Sequence, residues 1–213
     1  MKTIRKLLLA VLALLAVCVL TGCGAKVSSD MTVSKDFAGS REIVLDIASD
    51  DLEKVEGGIK ALEKIIKADI PDEMTYKINH QDDGSEQIVF TITFEDLEGY
   101  REKITTILDA GVTEEEEENK IVPEIRFEYS DTYFKKGVVF QENFNNVDLV
   151  DWFREGIREA GIITESESNW SETADSIVTI EGVEYTNYDV PGAHEWFTWI
   201  QLLHDLGLNH LWK

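Results

Sequence analysis

The first 23 residues constrain this chain more than any other feature, because they separate a leader from the part that can fold. Lys2, Arg5 and Lys6 precede an uninterrupted apolar run, which extends from residue 7 to residue 20. A helix needs roughly 20 residues to cross the hydrocarbon core of a bilayer, so this run is too short for a permanent span. A basic start followed by a short apolar run is typical of a signal peptide.

A cysteine ends this leader, in the sequence Leu20-Thr21-Gly22-Cys23. The sequence resembles the lipobox of bacterial lipoproteins, in which the cysteine sulfur carries a diacylglyceryl group and the chain before it is removed. The resemblance implies a signal peptide over residues 1–22, lipid attachment at Cys23 with fatty chains such as palmitate, and a location at the extracytoplasmic face of the cell membrane. An ordinary secretory signal that happens to end in a cysteine is the alternative.

The two cysteines of the chain, Cys18 and Cys23, both lie in this region. Cleavage before Cys23 would leave one sulfur, and that sulfur would be acylated. The exported body could then form no disulfide and would depend on its hydrophobic core alone. Catalysis by a cysteine nucleophile is excluded on the same grounds.

The charge balance limits the partners of the body. The chain carries 20 basic and 42 acidic side chains, for a formal net charge of −22. Such a surface repels phosphates, so the sequence predicts no nucleic-acid partner. It would also repel anionic lipid head groups, so the membrane contact is expected through two fatty chains on Cys23, which suffice for stable attachment. A hydrophobic content of 43% is enough to build a core.

The hydrophobic pattern divides the rest of the chain into three parts. Residues 23–30 are small and polar, which predicts a flexible tether. Residues 31–130 are expected to form an α+β sandwich domain. Residues 131–213 are expected to form a smaller C-terminal α+β segment that ends in a helix.

Alternating and helical periods predict six elements within the first domain. They are strand, helix, strand, strand, helix and strand, at 41–48, 49–70, 74–78, 88–94, 97–111 and 121–129. This is the order of a ferredoxin-like sandwich, a two-layer fold in which two helices cover one face of an antiparallel sheet. The first helix is expected to kink at Gly57-Gly58, and a further short strand at 31–33 is expected at a sheet edge.

The C-terminal segment has weaker patterns. It predicts a strand at 138–140 and a helix that Asn146 caps. A hairpin is expected around Glu181-Gly182, and a final helix is expected over residues 195–207.

Three stretches resemble LppM-type and related uncharacterised lipoprotein domains of Gram-positive bacteria. They are MTVSKDFAGSREIVLDI at 31–47, the break at Ile70-Pro71 and ITFEDLEGYREKI at 92–104. The match covers residues 31–108 and consists of strand and turn patterns. It implies the fold and the membrane address, and it carries no functional residue over to this chain.

No catalytic motif stands out. The chain contains neither a Gly-x-Ser-x-Gly elbow nor a phosphate-binding or dinucleotide glycine motif. His194 and His204 are about 80° away from a common helix face, so no metal site is predicted. With 42 carboxylates, acidic pairs alone do not indicate glycoside hydrolysis. These observations favour a non-enzymatic role without a cofactor.

Tryptophans are the main concentration of candidate contact groups. All five lie in the second half of the chain, at 152, 170, 196, 199 and 212. The helical spacing of residues 152, 196 and 199 favours core packing, whereas Trp170 lies in a polar loop where packing does not require it. Trp170 is therefore the first candidate for a ligand or partner contact, followed by Trp196 and Trp199.

Together these features predict a lipid-anchored, non-enzymatic module that binds a protein, a peptide or an envelope component. A cell-envelope hydrolase that uses two carboxylates is the first alternative, and a cleft with one carboxyl of raised pKa beside an ionised one would favour it. Low-affinity capture of cations or of a solute is the second alternative, and it would appear as stabilisation by calcium or magnesium.

Overall fold

The computed structural model describes residues 25–112, 120–131, 136–162, 170–172, 176–186 and 194–196. These residues form two β-sheets and a layer of helices, which confirms the α+β class. The strands are β1 (Ala25–Val33), β2 (Gly39–Ile47), β3 (Thr75–His80), β4 (Glu86–Phe94), β5 (Ile125–Asp131), β6 (Lys136–Glu142), β7 (Ser171–Glu172), β8 (Ile177–Ile180), β9 (Val183–Thr186) and β10 (His194–Trp196). The helices are α1 (Ser49–Leu52), α2 (Gly58–Asp69), α3 (Leu97–Ala110) and α4 (Asp151–Ala160), with a 3-10 helix at Asp148–Val150 directly before α4.

The main sheet has the strand order β3-β4-β2-β1-β8-β9, and β7 also pairs with β1. The pairs from β3 to β1 are antiparallel, as the sequence predicts. β7 and β8 run parallel to β1, so the complete sheet is mixed. A second sheet has the order β10-β6-β5.

One side of the main sheet forms the core. The alternating residues of β2 and β4 that face this side are almost fully buried, and α2, α3 and α4 cover them. Trp152 and Phe153 of α4 meet the ring of Phe90 edge-on, with centroid distances of 5.3 and 5.9 Å. Within the part of the chain that the structure describes, no helix has the length and apolar character needed to cross a bilayer.

β1 differs from the expectation in both length and position. The strand begins at Ala25 rather than at Met31, so residues 25–30 belong to the sheet and not to a flexible tether. Burial alternates along the whole strand, so its small and polar residues project in turn to the two faces of the sheet. β1 also lies between β2 and β8 in the middle of the sheet, and not at an edge.

The ferredoxin-like order is correct for the first half of the domain and wrong for its last strand. β2, α2, β3 and β4 form a split β-α-β unit, because β2 and β3 are parallel to each other and antiparallel β4 lies between them. On the other side of β2, the place of the last strand is taken by β1. β5, the strand expected there, pairs with β6 in the second sheet.

Two details of the helices also differ. The expected kink at Gly57-Gly58 is a complete break, because positive φ angles of 88° and 59° separate α1 from α2. Asn146 does not cap the helix as expected, because Val147 precedes the 3-10 helix and Val150 precedes α4, and neither position has a side-chain cap. The nearest comparable contacts are made by Asn145. The Asn145 side chain accepts from the backbone N–H of Asp148 at 2.9 Å, and the Asp148 carboxylate accepts from the N–H of Asn145 at 2.7 Å.

The C-terminal segment contributes strands to both sheets. β8 and β9 form the hairpin that the sequence predicts around Glu181-Gly182, and β8 pairs with residues 30–33 of β1. His194–Trp196 forms a strand that pairs with β6, where the sequence predicts the start of a helix. Pairing with a neighbouring strand therefore outweighs the local helical period at these residues. The rest of the expected helix, residues 197–207, lies outside the described residues.

Phe37 packs the second sheet against the main sheet. Its φ of 62° is unusual for a residue other than glycine, and its side chain is 1% exposed. Its ring centroid lies 5.4 Å from that of Phe94, 4.6 Å from that of Phe127 on β5 and 5.6 Å from that of Phe140 on β6. The aromatic contacts explain how the turn between β1 and β2 keeps a strained backbone.

Candidate functional site

The side of the main sheet opposite the helices is here called the open face. Residues that pair across neighbouring strands project on the same side, so the open face consists of rows of side chains. One row contains Ile177, Asp30, Glu42, Thr91 and Thr75, and the next contains Ser28, Val44, Val89 and Lys77. Most of these side chains line one shallow depression. The open face therefore combines carboxylates, hydroxyls, half-buried aliphatic groups and the exposed ammonium group of Lys77.

Asp30 and Glu42 form a like-charge pair on the open face. They lie directly opposite each other on antiparallel β1 and β2, and both are exposed. Among the described residues, neither carboxylate forms a salt bridge with a basic side chain. Like charges in this position destabilise a sheet, by analogy with the roughly 0.2–1 kcal/mol that favourable pairs contribute. Such local departures from stable pairing are common at functional sites.

A third carboxylate adds to the negative charge of the open face. Glu184 lies on β9 opposite Thr179, which itself pairs with the strand that carries Asp30. Partial burial raises the pKa of the Asp30 carboxyl, and repulsion from Glu184 raises this pKa further. A positively charged group of a partner would relieve this repulsion.

The same pair bears on the hydrolase alternative, which requires a carboxyl of raised pKa beside a second carboxylate. Asp30 and Glu42 meet that description, but they lie in a shallow depression on an open sheet. Catalytic carboxyl pairs work in clefts that exclude water and hold the substrate between them. The open face consequently suits binding better than hydrolysis.

A second group of polar side chains lies on the helix-covered side of β2. Arg41 is 2% exposed, and its Nη1 donates to both carboxylate oxygens of Glu142 at 3.0 and 2.9 Å. Nη1 also donates to the hydroxyl of Tyr100 at 2.5 Å, and this hydroxyl donates to Glu142 Oε1 at 2.6 Å. The three side chains come from β2, β6 and α3.

Asn146 extends these contacts to the C-terminal part of the chain. Its Oδ1 accepts from Arg41 Nη2 at 2.5 Å, and its Nδ2 donates to Ser176 Oγ at 3.1 Å. The same Oγ accepts from the backbone N–H of Ser29 at 2.9 Å. We call these residues the buried polar cluster, which consists of Ser29, Arg41, Tyr100, Glu142, Asn146 and Ser176.

The electrostatics of the buried polar cluster favour a structural role. Burial acts to lower the pKa of Arg41, but the charges and hydrogen bonds of Glu142 and Tyr100 together outweigh this effect, and the pKa is raised. Burial raises the pKa of Tyr100 well above its usual range. All members of the cluster are nearly inaccessible to solvent, so a ligand at the surface cannot contact them. The cluster connects the two sheets and is not itself a binding site.

A smaller depression lies between the end of α3 and the start of α4. Its polar lining includes Lys120, Asp148 and Asp151. Each of these side chains is already engaged. Lys120 pairs with Asp109 at 2.8 Å, the Asp148 carboxylate accepts from the backbone N–H of Asn145 at 2.7 Å, and Asp151 pairs with Arg154 at 2.5 Å. This depression is therefore a weaker candidate than the open face.

The contact residues expected from the sequence do not come together on the open face. Cys23 and Trp199 lie outside the described residues, and Trp196 lies in β10, where the backbone alone is described. Trp170 is partly buried, and its ring centroid lies 5.6 Å from that of Phe153 in the core. Packing therefore does involve Trp170, although its exposed part leaves a partner contact as a prediction. Trp152, for which core packing was favoured, is 3% exposed.

Metal ligands also do not converge in the described part of the chain. No three His, Cys, Asp or Glu side chains among those residues are placed to hold one ion. His80 lies in β3 and its Nδ1 is 2.7 Å from a carboxylate oxygen of Glu86.

Arg41 carries a readable signal that the sequence interpretation missed. The alternation of β2 places Arg41 on the same side as Ile43, Leu45 and Ile47, which marks it as a buried charge that needs a partner. Its partner Glu142 is 101 residues away, and no local pattern indicates it. Asp30 gives no such signal, because the composition of residues 25–30 predicts a tether and not a strand.

Comparisons with protein-family models, characterised proteins and solved structures found no match to this chain. The functional interpretation therefore depends on the residues and geometry described above.

Proposed function

We propose that the chain is a lipoprotein, anchored through Cys23 at the extracytoplasmic face of the cell membrane, whose body is a non-enzymatic binding module. The leader and the sequence Leu20-Thr21-Gly22-Cys23 support the anchor. The open face supports the binding role, since it groups Asp30 and Glu42 without a basic partner among the described residues. A protein or peptide segment with basic groups is the envelope component that best fits this charge.

The uncompensated Asp30–Glu42 pair is the observation that carries the binding role. Exposed carboxylates are ordinary on a protein of net charge −22, but two of them directly opposite each other in a sheet work against folding. The half-buried aliphatic side chains of Val44 and Val89 adjoin the pair in the next row. A partner would thus find a charged contact next to an apolar one.

The anchor is tested by replacing Cys23 with Ala in the full chain. We expect the protein to move from the membrane fraction to the soluble fraction, because the fatty chains would be lost. Retention at the membrane would contradict the lipid anchor.

The open face is tested in cells by photo-crosslinking from position 91, in the same row as Glu42, and from position 64, an exposed helix position. We expect one crosslinked species from Thr91 that Lys64 does not give. Glu42→Lys should remove it, and Glu53→Lys, an equal charge change at an exposed position, should not. The same species in all variants, or none from Thr91, would contradict a partner on the open face.

A further inference from the structure

The start of β1 determines how the body sits on a membrane. If Cys23 is lipidated, only Gly24 separates it from Ala25, the first residue of β1. Consecutive Cα atoms are about 3.8 Å apart, so the Cα atom of Cys23 lies within about 8 Å of that of Ala25. This distance is close to the Debye length of about 8 Å at physiological ionic strength. The connection between the lipid anchor and the main sheet is therefore short.

The first residue of β1 marks one end of the main sheet, here called the near end. Ala25 pairs with Ile47, Ile47 pairs with Glu86, and Glu86 pairs with His80. The turn between β3 and β4 lies at the same end, and so does α1, since a Cβ atom on Gly84 would be 3.5 Å from that of Ser49. The near end is therefore a surface made by several elements, all at the level of the anchored residue.

The near end is acidic. Its carboxylates are Asp46, Asp50, Asp51, Asp82, Asp83 and Glu86. Lys54 pairs with Asp51 at 2.8 Å, Lys26 lies directly opposite Asp46 on the neighbouring strand, and His80 Nδ1 is 2.7 Å from a carboxylate oxygen of Glu86. Such a surface meets head groups without entering the hydrocarbon, because charged side chains are costly to bury.

We infer that the body stands on its near end against the head-group layer of the bilayer, with β1 directed away from the membrane. This inference rests on the proposed lipid anchor at Cys23. Anionic head groups repel the carboxylates of the near end, but the connection is too short to let the body move away. Lying flat would bring more of the acidic surface of the body against the same head groups, so it is opposed more strongly. In this orientation the open face stands perpendicular to the membrane and is accessible to a partner in the envelope.

The length of β1 makes the orientation measurable. β1 has nine residues, so at about 3.4 Å per residue its two ends are about 27 Å apart. The far end is the turn between β1 and β2, which includes Asp36. Asp82 at the near end and Asp36 at the far end are both exposed. The variants Asp82→Cys and Asp36→Cys remove the same charge, and the body has no other cysteine.

The experiment uses each variant of the full chain, produced in a lipidating bacterial host, labelled with a fluorophore and reconstituted into phosphatidylcholine–phosphatidylglycerol vesicles that contain a head-group nitroxide quencher. We expect quenching at position 82 to be at least about twofold stronger than at position 36, because roughly 27 Å separates the two ends. A ten-residue Gly-Ser insertion between Gly24 and Ala25 should reduce this difference, because its average span is roughly 17 Å.

Other outcomes separate the orientation from the anchor. Equal quenching of both probes on vesicle-bound protein, or stronger quenching at position 36, would overturn the upright orientation and leave the anchor intact. Protein that fails to bind vesicles and has an unmodified Cys23 by mass would overturn the anchor and the orientation together.

Discussion

Glu142 allows a direct test of how the buried polar cluster supports the fold. Its side chain is 1% exposed and accepts from both Arg41 and Tyr100. Glu142→Gln keeps an oxygen that can accept these hydrogen bonds but removes the charge, so the guanidinium of Arg41 stays buried without a counterion. Breaking a buried ion pair in this way costs about 3–5 kcal/mol. We therefore expect Glu142→Gln to lower the free energy of unfolding by at least about 3 kcal/mol.

The matched control is an ion pair on the adjacent strand. Glu128 on β5 pairs with Arg126 at 2.7 Å, and the two side chains are 48% and 59% exposed. Exposed pairs contribute about 0–1 kcal/mol, so Glu128→Gln should change stability by no more than that. Urea denaturation followed by tryptophan fluorescence measures both variants under the same conditions. Losses for Glu142→Gln and Glu128→Gln that agree within about 1 kcal/mol would refute the reasoning.

A double variant separates charge from packing. Arg41→Met together with Glu142→Leu removes both charges, and it takes hydrogen-bond partners from the Tyr100 hydroxyl and from Asn146 Oδ1. An unsatisfied hydroxyl costs about 1–3 kcal/mol. The double variant should therefore be more stable than Glu142→Leu alone, which leaves Arg41 uncompensated as well. A double variant that is as unstable as the sum of the two single variants would show that the pair is not coupled.

Three further substitutions test the packing of α4, the charge of the open face and the pH dependence of the buried polar cluster. Gly156→Ala should lower the free energy of unfolding by about 1–2 kcal/mol despite the helix propensity of alanine, because the new Cβ would lie 2.7 Å from Ile65 Cγ2 where α4 packs on α2. Its control is Gly99→Ala, where the nearest atom to the new Cβ is 3.4 Å away. This variant should leave the free energy of unfolding unchanged or raise it by up to about 1 kcal/mol, as measured by urea denaturation. Asp30→Asn should stabilise the chain at pH 7 by about 0.2–1 kcal/mol. Because the pKa of Asp30 is raised in the folded state, this gain should vanish below its ordinary value of 3.8, and Asp36→Asn should give no such gain. Tyr100 has a folded pKa above its ordinary value of 10.0, so the folded state keeps a proton that the unfolded state releases, and stability should fall as pH rises above 10.0. Tyr100→Phe should make this fall smaller in thermal unfolding curves recorded at alkaline pH.

The sequence predicts those elements of the fold whose signals are local. The hairpin of β3 and β4, the glycine-ended helices and the hairpin around Glu181-Gly182 all follow from periodicity and turn residues. Local sequence does not determine which strands pair with each other. The place beside β2 goes to β1 and not to β5, because β5 forms an antiparallel pair with β6 that involves every one of its residues.

The same limit applies to the candidate site. Asp30 and Glu42 are twelve positions apart, and their opposition becomes visible only when β1 is extended to Ala25 and registered against β2. A short polar segment such as residues 25–30 resembles a tether in composition, because serine and alanine occur in both. A strand of this composition differs from a tether in the burial of alternate residues, and this burial depends on the helices and strands that pack on the sheet.

The contacts across residue 130 lead to a last prediction, on the boundary expected between residues 31–130 and 131–213. A chain that ends at Ser130 loses Glu142, the counterion of Arg41, and it also loses β6 and β8, the partners of β5 and β1. Uncovering a buried guanidinium and exposing both edges costs several kcal/mol, a large part of the roughly 5–15 kcal/mol that stabilise a domain. We expect this truncated chain to unfold without a cooperative transition, whereas the chain with residues 131–213 should unfold in one step by tryptophan fluorescence and circular dichroism. A truncated chain that melts cooperatively with native-like helix content would show that residues 31–130 fold independently, and that the buried polar cluster joins two finished units.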